Sequence, residues 1–140
     1  MSVPATGTAT WKASYKINIR GVDDDHSILV GLVDELEEAV LAGRGKSIVA
    51  GTLDRLVVYV KLHFAREERL MRAHRYPELE AHCAEHDGFA RKVVEYQDDY
   101  HQGRAELSGE VLRFLSNWVV SHILGVDQKL GPYLHERGVT

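Results

Sequence analysis

Apolar residues recur along the chain at steps of three and four, and breakers divide them into four stretches. The first follows Asp23, an expected N-cap, through Leu29, Leu32, Val33, Leu36, Ala39 and Val40, and stops at Gly43-Arg44-Gly45. The second runs from about Ser47 to His74, with Leu53, Leu56, Val60, His63, Glu67, Leu70 and Met71 on its stripe; Pro77 prevents its continuation. The third runs from about Pro77 to Tyr100 through Leu79, His82, His86, Phe89, Val93 and Tyr96. The fourth starts near Leu107 and carries Val111, Leu115, Trp118, Val119, His122, Val126 and Asp127, after which Gly131 and Pro132 disturb the pattern and leave a short tail. No stretch alternates with period two for long enough to build a sheet. Long helices with short connections predict an all-α, antiparallel up-down-up-down four-helix bundle. Residues 1–22 form an expected N-terminal extended arm, with Trp11 and Tyr15 packing it against the bundle. Residues 23–140 form the bundle as a single domain.

Polar residues intrude on these apolar faces. His26 shares a face with Leu29, Val33 and Leu36; His63 and Glu67 lie on the second stripe, His82 and His86 on the third, and His122 on the fourth. One such histidine is ordinarily a satisfied core residue. Several together, with a carboxylate, would each need a separate buried partner. Their depths also agree. His26 precedes the Gly43 break by nearly as many residues as separate His63 from Ser47, and His86 precedes Tyr100 by nearly as many as separate His122 from Leu107. Four antiparallel helices therefore deliver these side chains at one level, which predicts a metal site. Asp127 follows His122 by five residues, about 140° around a regular helix. It points inward only if the helix widens into a π-type turn, which Gly125 would tolerate.

Composition narrows the setting. The chain has 140 residues, 44% hydrophobic and 27% charged, with a net charge of −4, enough for one core and without the basic surplus of a nucleic-acid binder. A single cysteine excludes an intrachain disulfide and fits a reducing compartment. The N-terminal MSVPATGTAT lacks the basic and apolar regions of a signal peptide, and no apolar run is long enough to span a bilayer, so a soluble cytoplasmic protein without membrane insertion is expected.

Histidine and carboxylate without thiolate suit iron, manganese or zinc, and the set is too large for one ion. Five histidines, two bridging carboxylates and one bridging hydroxide leave one position open on two six-coordinate ions. The carboxylate-rich Glu-x-x-His signature of ferritin-like oxidation enzymes is absent, since no glutamate here has a histidine three residues later.

The ordered set His26, His63-x-x-x-Glu67, His82-x-x-x-His86 and His122-x-x-x-x-Asp127 resembles the hemerythrins, most closely the single-domain bacteriohemerythrins. W-x-x-x-Y near the start, V-D-x-x-H, HF-x-x-EE, YP and WVVSHIL add to the likeness, which covers roughly Trp11 to Leu134. The resemblance implies a non-haem centre of two Fe ions, bridged by an oxo or hydroxo group, that binds O2 reversibly for storage, delivery or supply to an oxygen-using enzyme. It implies His82, His86 and His122 on one iron, His26 and His63 on the other, with Glu67 and Asp127 bridging. It also implies an oxygen pocket of Leu29, Trp118, Val119 and Ile123, and no catalytic residue. Val119 stands where the family commonly has Leu. A sensor working through a partner, and a diiron peroxidase or nitric oxide scavenger, are the competing functions.

The remaining features have plainer expectations. His74 is a helix-terminal residue facing the dipole, His101 and His135 are solvated, and Cys83 is a small buried hydrophobe. Arg66, Arg69, Arg72 and Arg75 form a solvated row.

Overall fold

In the computed structural model, residues 11–140 are described, so the first ten residues of the expected arm lie outside the described part. Four helices build the bundle: α1 Arg20–Leu41, α2 Lys46–Ala73, α3 Leu79–His101 and α4 Gly109–His122. A π-helical turn, Ile123–Asp127, joins α4 to α5, Gln128–Glu136. Helix α1 packs between α2 and α4, and α2 packs on α3. Among the described residues there is no strand, and no helix is long and apolar enough to cross a membrane.

The connections are short because the helix ends close on themselves. At the end of α1, Gly43 adopts φ +66°, and the amides of Gly43 and Arg44 donate to the carbonyls of Val40 and Ala39. That pattern satisfies two orphan carbonyls and turns the chain toward α2. At the end of α2 the same pattern recurs with Arg75 in the left-handed position (φ +53°), and the amide of Tyr76 donates to Met71. The Tyr133 hydroxyl donates to the carbonyls of His74 and Arg75, tying α5 to this turn.

Several boundaries differ from the expectations. Helix α1 starts three residues before Asp23. The Asp23 carboxylate still satisfies backbone donors, but upstream ones, accepting from the amides of Ile17 (2.7 Å) and Asn18 (3.1 Å). It thereby folds the end of the arm onto the helix that follows. The arm itself includes a 3-10 turn, Ala13–Tyr15, with Tyr15 buried and Trp11 packed edge-on against it.

Gly131 and Pro132 do not end the fourth stretch: both lie inside α5, whose Leu130 and Leu134 are fully buried. Gly131 is required there for space. A Cβ on it would stand 2.5 Å from the Ile17 carbonyl oxygen, so the missing side chain lets α5 lie directly on the arm.

The core divides into two clusters. The larger holds Val33, Leu36, Leu53, Leu56, Val93 and Leu115 among residues of all four long helices. The smaller gathers Ile17, Ile19, Val22, Met71, Tyr76, Leu130 and Leu134 from the arm, the helix ends and α5. The histidines on the buried faces touch both: Phe64 of the larger cluster stacks on His86, and Tyr76 of the smaller meets the His82 ring edge-on.

Candidate metal centre

The structure brings His26, His63, Glu67, His82, His86, His122 and Asp127 together, and all seven are buried. Their donor atoms form two overlapping groups. One joins Glu67, His82, His86, His122 and Asp127; the other joins His26, His63, Glu67 and Asp127. Both carboxylates belong to both groups, and each divides its oxygens between them. Glu67 Oε1 lies 2.7 Å from His82 Nε2 and 3.1 Å from His86 Nε2, while its Oε2 lies 3.2 Å from His63 Nε2 and 3.5 Å from His26 Nε2. Asp127 Oδ1 lies 3.1 Å from His82 Nε2 and 3.2 Å from His122 Nε2, while its Oδ2 lies 3.0 Å from His26 Nε2.

Helical spacing explains most of this placement. His63 with Glu67, and His82 with His86, stand one turn apart on single faces of α2 and α3. Asp127 needs the π-helical turn, whose extra residue rotates it inward. Gly125 lies within that turn, as expected; it is exposed, and a Cβ there would meet nothing within 4 Å, so no close contact requires a glycine there.

The cluster suits a cation. His26 Nε2, Glu67 Oε2, His86 Nε2, His122 Nε2 and both Asp127 oxygens are buried without an aligned hydrogen-bond partner among the described residues. Close approach without hydrogen-bond alignment is what ligands converging on an ion would show, and leaving so many buried polar atoms unsatisfied would otherwise be costly. The electrostatics agree. Burial disfavours the His26 imidazolium, but Asp127 and Glu67 outweigh it and raise its pKa to about 10. Burial likewise opposes the His82 imidazolium, and the same two carboxylates raise it to about 9. Burial pushes Glu67 and Asp127 up, yet the surrounding histidines hold both below the ordinary carboxylate range. The carboxylates that favour these imidazolium forms are the same groups that could hold a divalent cation.

Three further carboxylates, none assigned a role from the sequence, brace the rings from behind. Asp25 Oδ2 lies 2.9 Å from His63 Nδ1, Glu68 Oε2 lies 2.9 Å from His86 Nδ1, and Glu85 Oε1 lies 3.2 Å from His122 Nδ1. A signal was present for Asp25: it shares the spacing of Leu29, Leu32 and Leu36, so a carboxylate stood on an inward stripe. Asp25 Oδ1 also accepts from Arg66 Nη1 at 2.8 Å, so Arg66 is not simply part of a solvated row. Aromatic rings complete the wall. Phe64 stacks on His86 (3.8 Å, 3°), and Trp118 stacks on His122 (4.5 Å, 10°) and on Phe89 (3.9 Å, 9°).

A small cavity adjoins the cluster. Leu29, Val60, Phe64, Phe89, Trp118, Val119 and Ile123 line it beside His26, His63, His122 and Asp127. The other noted histidines stand apart from the centre. His74 caps α2, His101 pairs through Nε2 with Asp54 Oδ1 at 2.6 Å rather than being merely solvated, and His135 Nε2 donates to the Asn18 carbonyl at 2.7 Å. Cys83 is half-buried against the smaller cluster rather than fully buried.

This geometry has close counterparts. Residues 18–134 match the model of the hemerythrin HHE cation binding domain. The chain belongs to the hemerythrin family. It is 35% identical over 126 residues to a bacteriohemerythrin of Methylococcus capsulatus, covering 89% of this chain and 95% of the relative. A bacteriohemerythrin of Stenotrophomonas maltophilia is 32% identical over 118 residues, 84% of this chain and 76% of that protein. The crystal structure of a wild-type hemerythrin superposes with a TM-score of 0.83 at 35% identity, covering 89% of this chain and 96% of that one. The bundle is thus a hemerythrin fold.

Proposed function

We propose that this chain binds O2 reversibly at a non-haem diiron centre and serves oxygen storage, delivery or supply. The observation that carries the reading is the division of the Glu67 and Asp127 oxygens between a three-histidine and a two-histidine group. His82, His86 and His122 would hold one iron and His26 and His63 the other, with both carboxylates bridging. The two-histidine group has fewer donors, and the cavity adjoins it. Iron supplies the chemistry, reversible electron donation to O2.

The protein's own part is to hold, exclude and orient. Buried carboxylates balance the metal charge. Leu29, Val119 and Ile123 give a small neutral molecule an apolar berth and offer nothing to stabilise an anion or a cluster of waters. Phe64 and Trp118 restrict two imidazole rings by stacking. Apart from the proposed ligands, the described residues of the cavity wall present no acid or base, which supports binding over turnover.

Iron-loaded protein, reduced without oxygen, exposed to air and then stripped of oxygen, should show a visible absorption that appears and disappears over repeated cycles. Metal analysis should give two irons per chain. One-way oxidation would favour an oxidase, peroxidase or scavenger, and one iron per chain would overturn the diiron assignment.

A further inference from the structure

Behind the metal ligands, the three bracing carboxylates are not equivalent. The Glu85 side chain is 49% exposed and that of Glu68 17%, whereas that of Asp25 is 2% exposed. Water can replace a carboxylate beside His122, but it has little access beside His63. Asp25 is also the most fully engaged. One oxygen meets His63 Nδ1 at 2.9 Å; the other accepts from Arg66 Nη1 at 2.8 Å and from the Tyr59 hydroxyl at 3.3 Å. Arg66 and Tyr59 both come from α2, the helix that carries His63, while Asp25 comes from α1 beside His26. The carboxylate therefore ties together the two helices that supply the two-histidine group.

A ring that donates Nδ1–H to a fixed carboxylate has one tautomer and one orientation, and its Nε2 lone pair is directed at the metal. The His26 Nδ1 atom has no hydrogen-bond partner among the described residues, so this half of the site depends on one brace. Resting on the diiron reading above, we propose that Asp25 is the positioning residue of the two-histidine half. It fixes the His63 ring, and Tyr59 and Arg66 fix Asp25.

The test is iron release to a ferrous chelator from the reduced, fully loaded protein. In Asp25→Leu, half of the iron should leave about 10–100-fold faster, the affinity loss typical when a group supporting a metal ligand is removed being expressed in the release rate. The other half should keep close to its wild-type rate. Asp25→Asn retains an oxygen that can accept the Nδ1–H, and should restore most of the slow release. Glu85→Ala, where water can take the vacated place, should accelerate release less than Asp25→Leu. Should Asp25→Leu not fold, Tyr59→Phe combined with Arg66→Met should produce the same fast half to a lesser degree.

Wild-type release from Asp25→Leu would overturn the proposal, as would a folded Tyr59→Phe/Arg66→Met protein without a fast half. Equal acceleration of both halves, together with a lower melting temperature of the iron-free variant, would also overturn it by showing general loosening. A wild-type chain holding fewer than two irons would overturn the diiron reading first and this inference with it.

Discussion

The larger apolar cluster and the smaller one are both well buried, yet they are assembled differently. The larger draws on long helices that face one another, with Leu36, Leu53, Leu56 and Leu115 all at 0% exposure. The smaller is collected from the arm, the ends of the long helices and α5. Its connection through the fourth stretch passes directly through the π-helical turn and Asp127. A core between continuous helices can support itself. A cap made from terminal segments relies more on whatever fixes those segments, and here the seven converging residues, with Asp127 directly before α5, are placed to do so. An ion held by these residues would then support the cap as well as bind a ligand.

The largest expected effect follows from breaking that connection. His86→Ala and His122→Ala should lose iron and lower the melting temperature, because metal binding to the folded chain adds directly to its stability. His74→Ala and His101→Ala should retain iron. Hydrogen exchange sharpens the comparison: in the two ligand variants, amides of α5 should lose protection before those of α2 around Leu53 and Leu56. Uniform loss along the chain would show that the cap has no special dependence on the site.

Acidity separates the iron-free and iron-loaded proteins. His26 and His82 have folded-state pKa values raised to about 10 and about 9 from an ordinary 6.5. Their stabilisation of the iron-free chain is fully present below about 6.5 and is lost as pH rises through those higher values. Glu67 and Asp127 are lowered from 4.5 and 3.8, so their contribution is present above those values and lost in stronger acid. The iron-free protein should therefore be most stable between roughly pH 4.5 and 6.5. Iron retention should change the other way above that window, rising with pH while the iron-free stability falls, because the imidazoles must be unprotonated to ligate. Melting curves with and without iron from pH 5 to 9 check this. Parallel pH dependences would mean that the cluster's protons and its iron do not compete.

Next comes a pair of cavities. Leu53→Ala in the larger cluster and Leu134→Ala in the cap should each cost about 2–5 kcal/mol in denaturant unfolding. Both side chains are fully buried, so the costs alone do not discriminate. Iron retention does: Leu134→Ala should weaken it, since α5 follows Asp127 directly, and Leu53→Ala should affect it less. The reverse order would place the coupling in the larger cluster.

The fold and the seven converging residues were legible because each rests on a local rule. Steps of three and four put His63 with Glu67, and His82 with His86, on single faces, and antiparallel counting put them at one depth. Asp127 was legible only beside the others, since its spacing contradicts a regular helix until the turn widens. What remained hidden depends on contacts between helices. Nothing local to Glu85 or Arg66 distinguishes them from surface charges, and Glu68 stood in HF-x-x-EE without a role; only the packing of α3 on α2 and α4, and of α1 on α2, gives them partners. The continuation of α5 through Gly131 and Pro132 was hidden for a similar reason. Those residues read as breakers until the arm lies against Gly131.

The smallest expected effect concerns Val119, buried one turn before His122 and lining the cavity with Leu29 and Ile123. Val119→Leu adds one methylene, about 0.8 kcal/mol of apolar burial if it is accommodated. The cavity has room for only about one water-sized molecule, so that methylene competes with water for space. Less room for water or an anion should slow autoxidation, while iron content stays unchanged. The opposing force is overpacking: Trp118 is fixed between Phe89 and His122 by stacking and cannot easily move aside. If overpacking dominates, the variant loses stability in denaturant unfolding. Decay of the visible absorption of oxygenated protein, for both chains at matched pH and temperature, decides between these forces. Slower decay with unchanged iron assigns Val119 control of water access to the two-histidine side; equal or faster decay removes that role.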